Sequence, residues 1–118
     1  MRILNIDDST VNNMLMENLL STLGYETYSI LEGSDVLERI EEFKPDLIIL
    51  DMMMPNESGL DVLEEIRAQG IDIPVIVVTA LRDEALKKRA MQMGVVEYQM
   101  KPVKMTTLKT SIERALQA

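Results

Sequence analysis

An α/β fold is predicted for this chain: a doubly wound parallel sheet of five strands with helices on both faces. Three observations predict it. Short, nearly continuous apolar runs recur, as RILNI at 2–6, DLIIL at 46–50 and PVIVV at 74–78, which is how strands buried on both faces of a parallel sheet read. Between them the apolar residues fall at helical spacing. Glycines and one Lys-Pro step punctuate the chain where helices should end.

The first strand, 2–6, runs into Asp7 and Asp8. Leu15, Leu19 and Leu23 follow at helical spacing and are expected to face the core, with Gly24 ending that helix. Residues 26–31 (ETYSIL) form the second strand, whose lower apolarity places it at the sheet edge. Val36, Ile40 and Phe43 mark the second helix, which Lys44-Pro45 stops. The third strand, 46–50, ends on Asp51, and Leu63 and Ile66 mark the helix before Gly70. The fourth, 74–78, ends on Thr79, and Leu86, Ala90 and Met93 mark the helix before Gly94. The fifth, 95–100 (VVEYQM), ends on Lys101, and Met105, Leu108, Ile112 and Leu116 mark a last helix running to Ala118.

Strand and helix alternating five times imply right-handed crossovers. The common order for five such strands is 2-1-3-4-5, the flavodoxin-like arrangement, with its ligand crevice at the carboxyl ends near the switch between strands 1 and 3. In that order strands 1, 3, 4 and 5 adjoin. Their ends carry Asp7, Asp8, Asp51, Thr79 and Lys101, while strand 2 carries none of the set.

The 118 residues are read as one domain, 1–118, long enough for a core without metal or disulfide staples. The absence of Cys, His and Trp excludes thiol catalysis, Ser-His-Asp triads, histidine bases and zinc sites of the usual kind. A formal charge of -8 with no basic stripe argues against direct nucleic-acid binding and suits a divalent cation or a basic partner. The apolar runs are too short for a membrane span, and Asp7 and Asp8 interrupt any signal segment, so a cytoplasmic protein is expected.

Three carboxylates at one crevice repel one another unless a cation lies among them. Magnesium, with its preference for carboxylate and phosphate oxygens, fits that need. Asp8 and Asp51 are the expected direct ligands, with Asp7 acting directly or through water. Lys101 offers a point charge to a phosphoryl oxygen and Thr79 a hydroxyl. A carboxylate needs no base to act as a nucleophile at neutral pH, which makes Asp51 the candidate phosphoacceptor. Singly, each residue has an ordinary structural reading: Asp8 or Ser9 as a helix cap, Tyr98 as a half-buried sheet residue. Their joint placement at adjacent strand ends favours the site.

At these residues the chain resembles the receiver domains of two-component response regulators, whose fold is that of the chemotaxis regulators. The likeness rests on Asp7-Asp8, the acceptor segment Asp51-Met52-Met53-Met54-Pro55 leading to Gly59, Thr79-Ala80 and Lys101-Pro102, and extends over essentially the whole chain. It implies a signalling phosphoprotein rather than an enzyme. Asp51 would take a phosphoryl group from the phosphohistidine of a sensor kinase or histidine phosphotransfer protein, promoting its own phosphorylation and a slow dephosphorylation. It further implies magnesium, or manganese in its place, bound by the acidic pair, Asp51 and the Met53 carbonyl. The Ala80 backbone, Thr79 and Lys101 would hold the phosphoryl group. Thr79 and Tyr98 would act as a switch altering the face of helix 4, strand 5 and helix 5, where an output domain or target binds. The Lys101-Pro102 bond is expected to be cis.

Met53 and Leu81 stand at the two positions that tune water attack on the acyl phosphate in this family, and neither offers water a hydrogen bond. Slow self-dephosphorylation is expected. Met14 and Val11 on the first helix have two readings: an apolar surface for a kinase's helical hairpin, or, for Met14, a residue that merely borders the core. Two rival functions remain. An aspartyl-phosphate phosphohydrolase would need a second acid where Met53 stands, and a nucleotide- or flavin-binding module of the same fold would need a glycine-rich loop after strand 1. The cognate kinase, the output partner, and whether the chain acts alone or within a longer regulator are not legible.

Overall fold

A computed structural model describes residues 1–54 and 57–117. Pro55, the end of the acceptor segment, and Ala118, the expected end of the last helix, lie outside the described residues. The strands are β1 (Arg2–Ile6), β2 (Glu26–Ile30), β3 (Leu47–Leu50), β4 (Val75–Thr79) and β5 (Val95–Met100). The helices are α1 (Thr10–Thr22), α2 (Val36–Phe43), α3 (Gly59–Ala68), α4 (Glu84–Gln92) and α5 (Met105–Gln117). All five strands pair in parallel in the order β2-β1-β3-β4-β5, the flavodoxin-like arrangement, and the less apolar β2 lies at an edge.

The period of two along the strands divides the core between the sheet's faces. Leu4, Ile6, Ile48, Leu50, Val75 and Val77 pack with α2, α3 and α4 through Val36, Ile40, Leu63, Ile66 and Ala90. Ile3, Leu47, Ile49, Ile76 and Val78 pack with α1 and α5 through Met16, Leu20, Leu108 and Ile112. Gly24, Gly70 and Gly94 follow α1, α3 and α4 at φ of 89°, 76° and 84°, and Lys44 ends α2 at φ 53°.

Two features differ from the sequence reading. The buried face of α1 is Asn13, Met16 and Leu20, whereas Leu15 is 58% exposed and Leu19 only borders the core. The stripes Leu15–Leu19 and Met16–Leu20 have the same i,i+4 spacing and lie about 100° apart on the helix, so apolarity alone does not choose between them. The helix start chooses. Ser9 caps α1 by accepting the Asn12 N–H, and the Asn13 side-chain amide donates to the Asp7 carbonyl oxygen at 2.9 Å, which fixes the helix phase. Secondly, Met53–Met54 and Glu57–Ser58 form a short antiparallel ribbon between β3 and α3. The Glu57 carboxylate accepts the Gly33 N–H and so ties the β2–α2 loop to that ribbon.

Candidate functional site

Hydrogen bonding that extends one residue past β1, β3 and β5 brings Asp7, Asp51 and Lys101 to fixed positions. Asp7 N–H donates to the Ile30 carbonyl at 3.2 Å, Asp51 N–H to Ile6 at 3.0 Å, and Lys101 N–H to Thr79 at 2.9 Å. Because the strands are parallel, these extensions all fall at one end of the sheet. Gly59 then comes back close against Asp51 and Met52. Gly59 begins α3 with its N–H on the Met52 carbonyl at 3.0 Å, and a Cβ there would collide with the Asp51 carbonyl oxygen and Met52 Cα. Only glycine allows that approach.

Lys101 lies at the centre. Its Nζ donates to Asp7 Oδ2 at 2.7 Å and to Asp51 Oδ2 at 2.8 Å, and both carboxylates are buried. Burial alone would lower the lysine's pKa, but the hydrogen bonds to Asp51 and Asp7 and their charges outweigh it, and the net shift is upward. The other Asp51 oxygen, Oδ1, accepts the Met53 N–H at 2.9 Å, and Asp7 Oδ1 accepts the Ser9 N–H at 2.9 Å. Asp8 is exposed, yet a carboxylate oxygen from each of Asp7, Asp8 and Asp51 lies within 4.8 Å of the others. Three carboxylates against one ammonium leave two net negative charges, a donor set that fits a hard dication.

Thr79 is fully buried at the end of β4. Its Oγ1 accepts the Leu81 N–H at 3.1 Å, and the Tyr98 hydroxyl donates to the Leu81 carbonyl at 3.2 Å. The two expected switch residues thus meet on one peptide segment. Tyr98 has a raised pKa, first through burial and then through the charges of Asp83, Asp51 and Glu84. Ala80, beyond β4, is exposed, and the Lys101-Pro102 bond is cis.

A cleft of about 500 Å³ opens beside the acids, lined by Asp8, Met53, Met54, Leu81 and Leu86 among others. Met53 and Leu81 therefore share the wall of the cleft that Asp8 lines. A second cleft, of about 590 Å³, runs between α1 and the start of α5, with Leu15, Leu19, Val103 and Met105 along it and Asp7 and Lys101 at its end. Leu81 as the shared partner of Thr79 and Tyr98 was not legible in the sequence, since both bonds use its backbone. Asn13 was also missed; a signal existed, because Asn5 interrupts the apolar run of β1 and a buried amide requires a partner.

The family model for the response regulator receiver domain matches residues 3–113. The Regulator of RpoS of Escherichia coli K12 is 39% identical over 103 residues, covering 87% of this chain and 31% of that protein. The probable transcriptional regulator ycf27 of Porphyridium aerugineum is 33% identical over 98% of this chain and 48% of its own length. This chain thus spans less than half the length of either relative. Among solved structures, the signal receiver domain of the putative Luxo repressor protein from Vibrio parahaemolyticus matches with a TM-score of 0.90 at 34% identity, covering 98% of this chain and 89% of that one.

Proposed function

This chain belongs to the response regulator receiver domain family, and from that membership we propose that it is a magnesium-dependent phosphoacceptor whose Asp51 takes a phosphoryl group from a phosphohistidine donor. The observation that carries this reading is the Lys101 ammonium held between Asp7 and Asp51 at the sheet's carboxyl end, with Asp8 alongside. An Asp51 oxygen attacks phosphorus, the P–N bond to the donor imidazole breaks, and its electron pair stays on the leaving nitrogen. Asp7, Asp8, Asp51 and the Met53 carbonyl are the groups that would hold magnesium, or manganese in its place. When bound, the metal neutralises charge on the phosphoryl oxygens and orients them.

Lys101 exchanges its carboxylate contact for a phosphoryl oxygen, with the Ala80 N–H and the Thr79 hydroxyl on the others. Drawing Thr79 toward the phosphoryl group loosens its hold on the Leu81 N–H, and the Leu81 carbonyl carries that change to Tyr98. Tyr98 lies on β5, so α4, β5 and α5 form the face that answers. The partners are a sensor histidine kinase or histidine phosphotransfer protein as donor, and an output domain or target at that face. The direct test is intact mass after acetyl phosphate with magnesium. One phosphoryl increment is expected, and none when a chelator is present from the start; no increment with magnesium would overturn the reading. Among the described residues no helix is long and apolar enough to cross a membrane.

Phosphoryl lifetime follows from the cleft wall. Met53 and Leu81 give an attacking water no hydrogen bond, so the phosphorylated chain decays slowly. Met53→Asn with Leu81→Gln should accelerate decay by about tenfold, near the 1.4 kcal/mol of one added transition-state hydrogen bond, while Met53→Ala alone should not. Following decay after the phosphodonor is removed checks this; an unchanged rate in the polar pair counts against it.

Val11, Met14 and Leu15 are 65%, 59% and 58% exposed on the first two turns of α1. The stripe is larger than the sequence implied because Leu15 turns outward. It suits the apolar face of a donor's helical hairpin. Met14→Glu should slow transfer from a phosphohistidine donor by about tenfold relative to labelling by acetyl phosphate, the loss of one modest apolar contact. Equal slowing of both, or of neither, would remove this surface from the docking site.

A further inference from the structure

Asn5 and Asn13 are the amides buried beneath α1, at 2% and 5% exposure. Asn5 Nδ2 donates to Asn13 Oδ1 at 2.7 Å, and Asn13 Nδ2 donates to the Asp7 carbonyl oxygen at 2.9 Å. The end of β1 explains why that last bond matters. The Ile6 carbonyl accepts the Asp51 N–H and the Asp7 N–H reaches Ile30, so both groups are held by the sheet. The Asp7 carbonyl comes next along the chain, and Asn13 supplies its donor from the second turn of α1. A peptide is planar, so orienting this carbonyl orients the whole Asp7–Asp8 link and the direction in which Asp8 leaves it. The Asp7 carboxylate has Lys101 and Ser9 to place it. Asp8 is exposed, and its backbone is what aims it.

We propose that Asn13, itself oriented by Asn5, is a positioning residue that sets the Asp7–Asp8 peptide for metal binding, an inference that rests on the phosphoacceptor reading. Packing alone does not require amides at these two places. Asn5 pairs in register with Ser29 of β2, whose hydroxyl, like that of Thr27, is buried without a partner among the described residues. A polar strip therefore runs under α1 and leads to the acidic pair.

The test separates metal affinity from stability by using Asn13→Leu, Asn5→Val and the double variant of the 118-residue chain. Magnesium binding is measured by calorimetry without phosphodonor, and melting midpoints without magnesium. Asn13→Leu should weaken magnesium binding about tenfold, the lower end for residues that orient metal ligands, and Asn5→Val should weaken it less. In the double variant both amides are replaced by apolar groups of similar shape, so the melting midpoint should recover toward the parent. Magnesium binding should remain as weak as in Asn13→Leu. Affinity that recovers together with the midpoint, or an Asn13→Leu chain that binds magnesium as the parent does, would overturn the proposal and leave the amides a purely structural pair. A parent chain that binds no magnesium and takes no phosphoryl group removes the phosphoacceptor reading itself.

Discussion

Asp51→Asn abolishes the phosphoryl adduct. The substitution keeps the shape of the side chain, so its oxygen can still accept the Met53 N–H that Asp51 Oδ1 accepts, and the backbone at Met53 has no reason to rearrange. What changes is chemistry: an amide oxygen is a far weaker nucleophile than a carboxylate. On the other side the amide N–H₂ would face the Lys101 ammonium, which Asp51 Oδ2 now meets at 2.8 Å, leaving Lys101 to Asp7. Intact mass after acetyl phosphate and magnesium should show one phosphoryl increment on the parent and none on the variant. An increment that persists would move the acceptor to Asp7 or Asp8. The same experiment addresses the rivals, because a phosphohydrolase would turn over phosphomonoesters without a lasting adduct and a flavin or nucleotide module would show copurified ligand and no adduct.

The position of Asp51 was legible because two independent regularities meet there: a continuous apolar run that ends sharply, and a strand order that sets the run's end beside those of its neighbours. Lys101, Thr79 and the acidic pair were legible on the same basis, since the sheet extends one residue past β1 and β3 to hold Asp7 and Asp51. The phase of α1 was not. Leu15–Leu19 and Met16–Leu20 are equivalent stripes by spacing, and what separates them is a long-range hydrogen bond from Asn13 to the end of β1. The ribbon of Met53–Met54 with Glu57–Ser58 was likewise hidden, because two-residue strands carry too little periodicity to register.

The link between Thr79 and Tyr98 shows a different limit. Residue identities pointed to the pair only through the family's pattern, and their physical connection passes through the N–H and carbonyl of Leu81. Any residue at 81 except proline offers the same two groups. Leu81 therefore has two separable contributions: its backbone joins Thr79 to Tyr98, and its side chain lines the cleft beside Met53.

Lys101→Met should have the second-largest effect and act on both chemistry and stability. Removing the ammonium takes away the one cation that, among the described residues, touches both Asp7 and Asp51, and with it a preplaced partner for charge on the phosphoryl oxygens. Transfer should slow by about 10²–10³, the loss typical of one such electrostatic contact. Without magnesium the variant should also lose about 1–2 kcal/mol of stability, less than a fully buried pair would, because Lys101 is partly open to solvent. Magnesium should restore more stability to the variant than it adds to the parent, since the cation then relieves two unpaired acids. The pH dependence gives an independent sign. Against burial, which alone would lower it, the Asp51 and Asp7 contacts raise the folded-state pKa of Lys101 above its ordinary value, so the lysine's stabilisation is complete below that ordinary value and is lost as pH rises through the raised one. Tyr98, raised chiefly by burial, adds to the same alkaline loss. Melting curves in alkaline buffers should therefore fall less steeply for Lys101→Met than for the parent, and less steeply again with Tyr98→Phe added. Equal slopes in all three, together with unchanged transfer, would mean that Lys101 neither neutralises the acids nor serves the phosphoryl group.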